Sequence, residues 1–356
     1  MRVTNFTFYS ENPYSRLMYS ALQGRYDPER GTVDDALALL AAGESNLLHV
    51  NWEEHAVRGS ASEVEAELLV DHFLLRLRQF RSQGGRVLWT VHNEMPHELE
   101  HVSAFLRLRR ELAGLVDRII VHSTHAAAVL RHQVPRLDAS LLFYLPHPSF
   151  LGCYEAEPPV DWEVPNPRTV IAFGKVRSYK GYGMLLKAIA DADSSDLRIR
   201  VVGQPVLGDP FANSLIAEFG SNPRIELDFR RVPDEEVAGL LRRHACLVLP
   251  YERFLTSGVA LLGMTFGVPI VAPDTPQLRE VLPRAGHELL FDRLAPPDLL
   301  RALERAVSLS EPEQREVRAA YLDRARYLEP AAISKRLGEL LDTIQVPQSN
   351  RCAAEV

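Results

Sequence analysis

Hydrophobic positions along this chain fall into short solid blocks separated by longer stretches of helical period. In the first half the blocks VTNFTFYS, NLLHVNW, GRVLWTVHN, DRIIVHS and SLLFYLPHP are rich in β-branched and aromatic residues, and read as strands. Between them, Val33 to Ala41, Ser62 to Ser82, His97 to Val116 and Thr124 to His132 repeat apolar side chains every three or four positions, as helices do. The segment EAEPPVDWEVPNPRT interrupts this pattern. Its prolines fix φ and remove backbone donors, which suits a stiff connection and neither a helix nor a central strand. The alternation then restarts with TVIAFGKV, LRIRVVG, RIELDFR, CLVLPY and VPIVAP as strands, and Gly183 to Ala190, Asp234 to His244 and Gly258 to Phe266 as helices. Pro233-Asp234 ahead of EEVAGLLRRH predicts an aspartate cap followed by an acidic first turn. The last periodic segment, Ala331 to Ile344, precedes a polar tail, PQSNRCAAEV, without a core-forming pattern.

Strand–helix alternation broken once predicts an α/β protein of two Rossmann-like, doubly wound domains facing a cleft. The expected bounds are an N-terminal domain over 1–155, a linker over 156–168 and a second domain over 169–328. A helix over 329–346, which can cross back to the first domain, and a flexible tail over 347–356 complete the chain. A length of 356 residues accommodates two cores, and 46% hydrophobic with 24% charged residues is a globular balance. The net charge of −7 argues against a nucleic-acid partner, which would call for a basic surplus. Cys153, Cys246 and Cys352 lie far apart with no metal or disulfide spacing. No basic start leads into an apolar run, and no 18-residue apolar stretch occurs, so the expected location is cytoplasmic.

Ligands of doubly wound sheets bind beyond the carboxyl ends of the strands. In FGKVRSYKGYG, Arg177 and Lys180 sit three apart just before a glycine-flanked helix start. A guanidinium fork and an ammonium beside main-chain N–H groups suit a diphosphate; read alone, they also suit an exposed basic loop. In LPYERFLTSGVALLGMTFGVPIVAP, Thr256 or Ser257 can cap a helix whose first N–H groups and dipole favour an oxyanion, and Gly258 leaves room for approach. Neither a GxxxxGK[ST] loop nor GxGxxG spacing is present, which disfavours an ATPase or a dehydrogenase.

FGKVRSYKG, VVGQP, RVPDEEVAGLLRRHACLVLPYE and SGVALLGMTFGVPIVAP, in this order and spacing, resemble the second domain of GT-B glycosyltransferases of the GT4-like group. ENPYSRLMYSAL, HVNW, WTVHNEMPHE and LPHPSF resemble the first domain more loosely. The resemblance implies an acceptor-binding first domain and a donor-binding second domain. Arg177, Lys180, Gly174, Ser257 and Gly258 would hold the donor diphosphate, and Gly203, Tyr251, Glu252 and Thr256 would border its nucleoside and sugar. His92 would contact the transferred sugar. The resemblance implies no cofactor beyond the UDP-, GDP- or dTDP-sugar co-substrate and no metal, the protein's cations taking that role. One departure stands out: retaining members carry two glutamates with seven residues between them, and the aligned positions here are Leu262 and, near it, Phe254, with Glu252 two places early.

In WTVHNEMPHE, His92, Glu94 and His97 are candidate catalytic groups, Glu94 and His97 as bases for an acceptor hydroxyl. Pro96, His97 and Glu98 equally suit the opening of the next helix. Asn12, Tyr14 and Arg16 after the first strand, and Trp52 with Glu53 after another, would floor the acceptor side, Trp52 offering a ring face to a sugar. His122 and His125 read as neighbours of a helix cap. The runs FLLRLRQFRSQGGR and FLRLRRELAGLVDR read as solvated helix faces, with peripheral docking on anionic lipid at the inner membrane face as the alternative. The favoured reading is sugar transfer from a nucleoside diphosphate to a hydroxyl of a glycan, glycolipid or small molecule. A nucleotide-sugar epimerase or hydrolase, and a non-catalytic sugar-nucleotide-binding partner, are the alternatives.

Overall fold

The computed structural model describes residues 1–7, 12–96, 100–155, 163, 167–192 and 196–345. The chain divides into two compact units, Met1–Pro148 with the stretch that begins at Pro330, and Ser149–Glu329. Most of the expected linker, 156–162 and 164–166, lies outside the described residues, as does the tail from 346 onward.

In chain order the first unit comprises β1 (Arg2–Phe6), α1 (Tyr14–Met18), β2 (Asp27–Arg30), α2 (Val33–Ala41), β3 (Leu47–Val50), α3 (Glu63–Ser82) and β4 (Arg86–Val91). It continues through α4 (Val102–Leu112), β5 (Arg118–Val121), α5 (Thr124–Gln133) and β6 (Leu142–Tyr144). The second unit comprises β7 (Thr169–Phe173), α6 (Tyr182–Asp191), β8 (Arg198–Val202), α7 (Phe211–Phe219), β9 (Ile225–Asp228), α8 (Asp234–Arg242), β10 (Leu247–Val248) and α9 (Gly258–Thr265). After these come β11 (Ile270–Pro273), α10 (Pro276–Val281), β12 (Leu290–Phe291), α11 (Pro296–Val307) and α12 (Glu311–Tyr327), and the chain returns to the first unit with α13 (Pro330–Gln345).

Each unit is built on a six-stranded, all-parallel sheet, ordered β2-β1-β3-β4-β5-β6 in the first and β12-β11-β10-β7-β8-β9 in the second. The central strands are covered on both faces, which is why they read as unbroken apolar blocks: β3 is buried throughout, and β4 is buried from Val87 to Val91. Local chemistry sets the helix starts. Thr32 and Asp35 form a reciprocal capping box on α2, and the Ser62 and Ser123 hydroxyls accept the Glu65 and Ala126 N–H groups at 3.2 and 2.9 Å. The expected aspartate cap on α8 is corrected: Pro233 holds the N-cap position without a side-chain bond, and Asp234 joins Glu235 and Glu236 in the acidic first turn. Of the expected helix from His97, residues 97–99 lie outside the described ones, and α4 begins at Val102, after His101.

α13 packs on α1. The Ala21 N–H donates to Ser334 Oγ at 3.0 Å, Tyr26 OH donates to Asp342 at 2.9 Å, and a Cβ on Gly338 would stand 2.6 Å from Leu22. The arginine-rich runs of α3 and α4 face carboxylates. Arg107 pairs with Glu67, Asp71 and Glu111, Arg78 with Glu111, and Arg76 with Asp34. No helix among the described residues is long and apolar enough to cross a membrane.

Candidate functional site

Strand order in each sheet reverses at one place, between β1 and β3 in the first unit and between β7 and β10 in the second. Loops diverge there and leave room for a ligand. Among the described residues, Gly174, Lys180 and Ser257 in the second unit, and Tyr14, Trp52 and His92 in the first, lie at strand ends near these points.

In the second unit, β7 runs into Gly174, whose φ of 113° suits glycine alone. A Cβ there would stand 2.7 Å from Lys180 Nζ and 3.6 Å from Val259 Cγ2, so the end of β7, the lysine ammonium and the first turn of α9 meet at one point. Two more glycines let the strand ends close up. A Cβ on Gly203 would lie 1.9 Å from the Gly174 carbonyl oxygen, and one on Gly181 would lie 2.0 Å from that of Pro250. Lys180 closes a 3₁₀ turn over Ser178–Lys180 and is only 6% exposed, with Nζ 5.4 Å from the centre of the Tyr251 ring. Burial first, then the positive charges of Arg177 and Lys175, brings its pKa down to about 7. Three cations thus crowd one strand end, an arrangement that an anion would relieve.

Ser257 is the N-cap of α9, its hydroxyl accepting the Ala260 N–H at 3.1 Å and sharing a hydrogen bond with Tyr251. Gly258 opens the helix; a Cβ there would meet the Phe150 ring at 3.7 Å. Thr256 Oγ1 is closed to solvent and has no partner among the described residues. Glu252 is exposed, and its backbone is tied on both sides, N–H to Tyr179 O at 3.0 Å and carbonyl to Arg293. At the two aligned glutamate positions, Leu262 is buried in α9 and Phe254 packs its ring 5.6 Å from Tyr251. In the Asp-x-Asp spelling Asp191-Ala192-Asp193, Asp191 is the last residue of α6, away from the strand carboxyl ends. Asp191 there pairs with Lys187 at 3.0 Å, and Asp193 lies outside the described residues.

In the first unit the strand ends carry an aromatic cluster. His92, just past β4, is 7% exposed and lies flat against Trp52, with ring centres 4.3 Å apart and planes 14° apart, while Tyr14 meets it edge-on at 4.6 Å. His122 and His147 complete the group, 5.6 and 5.0 Å from the Tyr14 ring. Burial is the leading cause that keeps all these imidazoles neutral: His92 is held well below the usual range, His122 near 4 and His147 near 3.

Beneath the cluster runs a chain of hydrogen bonds whose direction one carbonyl fixes. His122 Nδ1 donates to Leu145 O at 2.7 Å, so its Nε2 must accept from Tyr14 OH at 3.1 Å. Tyr14 also bonds Thr90; with its own proton committed, it accepts there, and Thr90 Oγ1 accepts from His49 Nε2 at 2.7 Å. His49 Nδ1 then accepts from Tyr19 OH at 2.8 Å. Burial holds the His49 pKa near 3, in keeping with this neutral tautomer.

A second buried device pins the loop that follows His92. Arg109 and Glu53, both fully buried, form an ion pair at 2.6 Å, and Glu53 also accepts the Trp89 indole N–H at 3.1 Å. The rest of the Arg109 guanidinium reaches the carbonyls of Asn93 and Glu94 and the Gln133 side chain. The Glu94 side chain is exposed, and His97 lies outside the described residues. Asn12 Oδ1 accepts the Tyr14 N–H at 3.0 Å at the start of α1, and Arg16 is exposed on that helix.

Sequence reasoning missed His49, His147 and Arg109; His122 does stand beside the Ser123 cap, as expected, and also belongs to the cluster. HVNW and LPHPSF already put histidines at strand ends. Arg109 lay inside a charge run, with no local signal of burial.

The model of the family described as Glycosyl transferases group 1 matches residues 167–308. Over 281 residues the chain is 25% identical to a GDP-mannose:glycolipid 4-beta-D-mannosyltransferase of Xanthomonas campestris pv. campestris, covering 79% of this chain and 75% of that one. Its fold is similar to that of Anabaena HepE, solved in complex with UDP and glucose, at a TM-score of 0.69 and 13% identity, over 96% of this chain and 100% of that one. Sucrose-phosphate synthase from Thermosynechococcus elongatus matches at a TM-score of 0.72 and 16% identity, over 96% and 95%. The chain thus has the GT-B fold, two parallel, doubly wound units, and residues 167–308, which span the cation-rich switch point, match the Glycosyl transferases group 1 family.

Proposed function

We propose that the second unit binds a nucleoside-diphosphate sugar with its diphosphate against Gly174, Arg177, Lys180 and the first turn of α9, and that the sugar passes to an acceptor hydroxyl bound by the first unit. The observation that carries this reading is the meeting of Lys180 Nζ, the Gly174 backbone and Val259 at one point, with Arg177 and Lys175 close enough to depress the lysine's pKa. Charge builds on the leaving diphosphate as the sugar departs, and preorganised cations and helix N–H groups stabilise it without reorganising. On this reading they do a metal ion's work.

The mannosyltransferase relative points to a GDP-sugar donor and a glycolipid acceptor, and the HepE complex to UDP as the competing nucleotide. A β-mannosyl bond made from an α-linked nucleotide sugar requires inversion at the anomeric carbon, which agrees with Phe254 and Leu262 standing where retaining enzymes have glutamates. In the first unit His92, held between Trp52 and Tyr14, would meet the transferred sugar. Lipid docking through the arginines of α3 and α4 gains less support, because Arg76, Arg78 and Arg107 already face carboxylates.

A thermal-stabilisation panel of GDP-, UDP- and dTDP-sugars tests the donor site, since a ligand bound only by the native state raises its melting temperature. One nucleotide class should stabilise the protein, and the Arg177→Ala, Lys180→Ala double variant should stay folded and lose that shift. Retention of the full shift by the double variant would overturn the assignment.

A further inference from the structure

We infer that Glu54 is the general base of the reaction, its Oε2 taking the proton of the acceptor hydroxyl. The inference rests on the transferase reading and adds to it a residue that the motifs do not single out.

The argument begins with position. Glu54 lies in the 3₁₀ turn Glu53–Val57 that follows β3, two residues past Trp52, whose ring lies flat on His92. It is half-buried, on the rim of the strand ends and outside the core. Its Oε1 accepts from Asn93 Nδ2 at 2.6 Å, and Asn93 directly follows His92. Both neighbours are anchored by one group: Arg109 pairs with Glu53 and takes the Asn93 carbonyl, so the carboxyl group of Glu54 is held against an immobile partner. Its other oxygen, Oε2, is shut off from water and has no hydrogen-bond partner among the described residues. A buried carboxyl oxygen left unpaired costs free energy, and a hydroxyl donor satisfies it.

The electrostatics agree. Burial first, then the negative charge of Glu53, raises the Glu54 pKa to about 7, while Arg109 and the bond from Asn93 oppose the rise. The neighbouring imidazoles suit the task less well. His49 has both ring nitrogens in the buried chain, His122 has both committed, and burial drives His92 and His147 far below neutrality. A base works best with a pKa near the working pH.

In the step itself, the acceptor O–H proton moves to Glu54 Oε2 as the acceptor oxygen's electron pair forms the bond to the anomeric carbon. The bond from that carbon to the diphosphate oxygen breaks, and its electron pair leaves on the nucleoside diphosphate. Acceptor entry has to open a path to Oε2, and along that path the protonated Glu54 afterwards returns its proton to water.

Glu54→Gln tests this, because it keeps the shape and the oxygen that accepts from Asn93 while removing the basic one. Wild type, Glu54→Gln and Glu54→Asp are compared for stabilisation by GDP-mannose and UDP-glucose, and for nucleotide release with water or octyl β-glucoside as acceptor from pH 5.5 to 8.5. The expected result is an unchanged donor-induced shift and unchanged donor KM in Glu54→Gln, kcat lower by about 10²-fold or more, and loss of the acidic limb near pH 7. Glu54→Asp should recover part of the rate. If Glu54→Gln turns over within about threefold of wild type, or keeps the acidic limb, Glu54 is a structural carboxylic acid and the inference falls while donor binding stands. Absence of any nucleotide-sugar stabilisation in the wild type would sink the transferase reading together with it.

Discussion

Moderate acid should unfold the first unit at a pH where carboxylates are still ionised. In the native state His49, His92, His122 and His147 are buried neutral, with pKa values near 3 for His49 and His147, near 4 for His122 and far below the ordinary range for His92. The unfolded chain restores each to roughly 6.5, so below that pH the unfolded state binds protons the native state refuses. The stabilisation is complete above pH 6.5 and is lost as pH falls from there toward 4. At pH 5.5 each histidine forfeits about 1.4 kcal/mol, and the four together up to about 6 kcal/mol, against a typical domain stability of about 5–15 kcal/mol. Urea unfolding at pH 7.5 and 5.5, followed by fluorescence of Trp52 and Trp89 in this unit, measures the loss directly. His244 in the second unit shifts the same way. His147→Gln removes one titrating ring and should narrow the gap between the two pH values by about 1.4 kcal/mol. A urea midpoint that stays level across this window, or an unfolding proton uptake below about one, would refute the buried neutral cluster.

Donor affinity should follow the protonation of Lys180: with a free-state pKa near 7 and an anion favouring the charged form, binding weakens as pH rises through 7, by up to about tenfold per unit, measurable by calorimetry. Lys180→Arg should flatten that dependence. Arg109→Leu strands the buried Glu53 carboxylate and frees the Asn93 and Glu94 carbonyls, so urea unfolding should show a loss of about 3–5 kcal/mol. Gly181→Ala combines a φ of 70° with a Cβ 2.0 Å from the Pro250 oxygen, and should leave little folded protein by circular dichroism.

The alternation of apolar blocks revealed both parallel sheets because their central strands are covered on two faces. It failed where burial fails. β2, Asp27–Arg30, is an edge strand with a single neighbour and no long apolar residue, so nothing in DPER announces a strand. β12 is two residues long, and α12 reads as polar over most of its length, with Val317, Tyr321, Leu322 and Ala325 as its sparse buried face. Asp234 looked like a cap because its side chain suits the role, but Pro233 already holds the required extended geometry one residue earlier.

The two proposed binding regions, donor and acceptor, differed in legibility for a reason rooted in how each is made. The donor side is assembled largely from backbone: Gly174, Gly181 and Gly203 allow strand ends to approach within what would be contact distance of a Cβ, and Ser257 starts a helix beside them. Backbone constraints act locally and restrict residue type at fixed spacing, so they leave a motif. The acceptor side is assembled from side chains on different strands. Tyr14 reaches His122, 108 positions away, His49 reaches Thr90 across 41, and Arg109 reaches Glu53 across 56. No window of sequence contains both partners of such a bond, and a histidine in a buried relay looks the same in sequence as one beside a helix cap. A residue such as Glu54 acquires its character only from those distant partners, because its raised pKa depends on burial and on a neighbour whose own charge Arg109 holds in place. Chemistry on the acceptor side should therefore be sensitive to substitutions far along the chain, such as Arg109→Leu, while donor binding should respond chiefly to changes inside its own motifs.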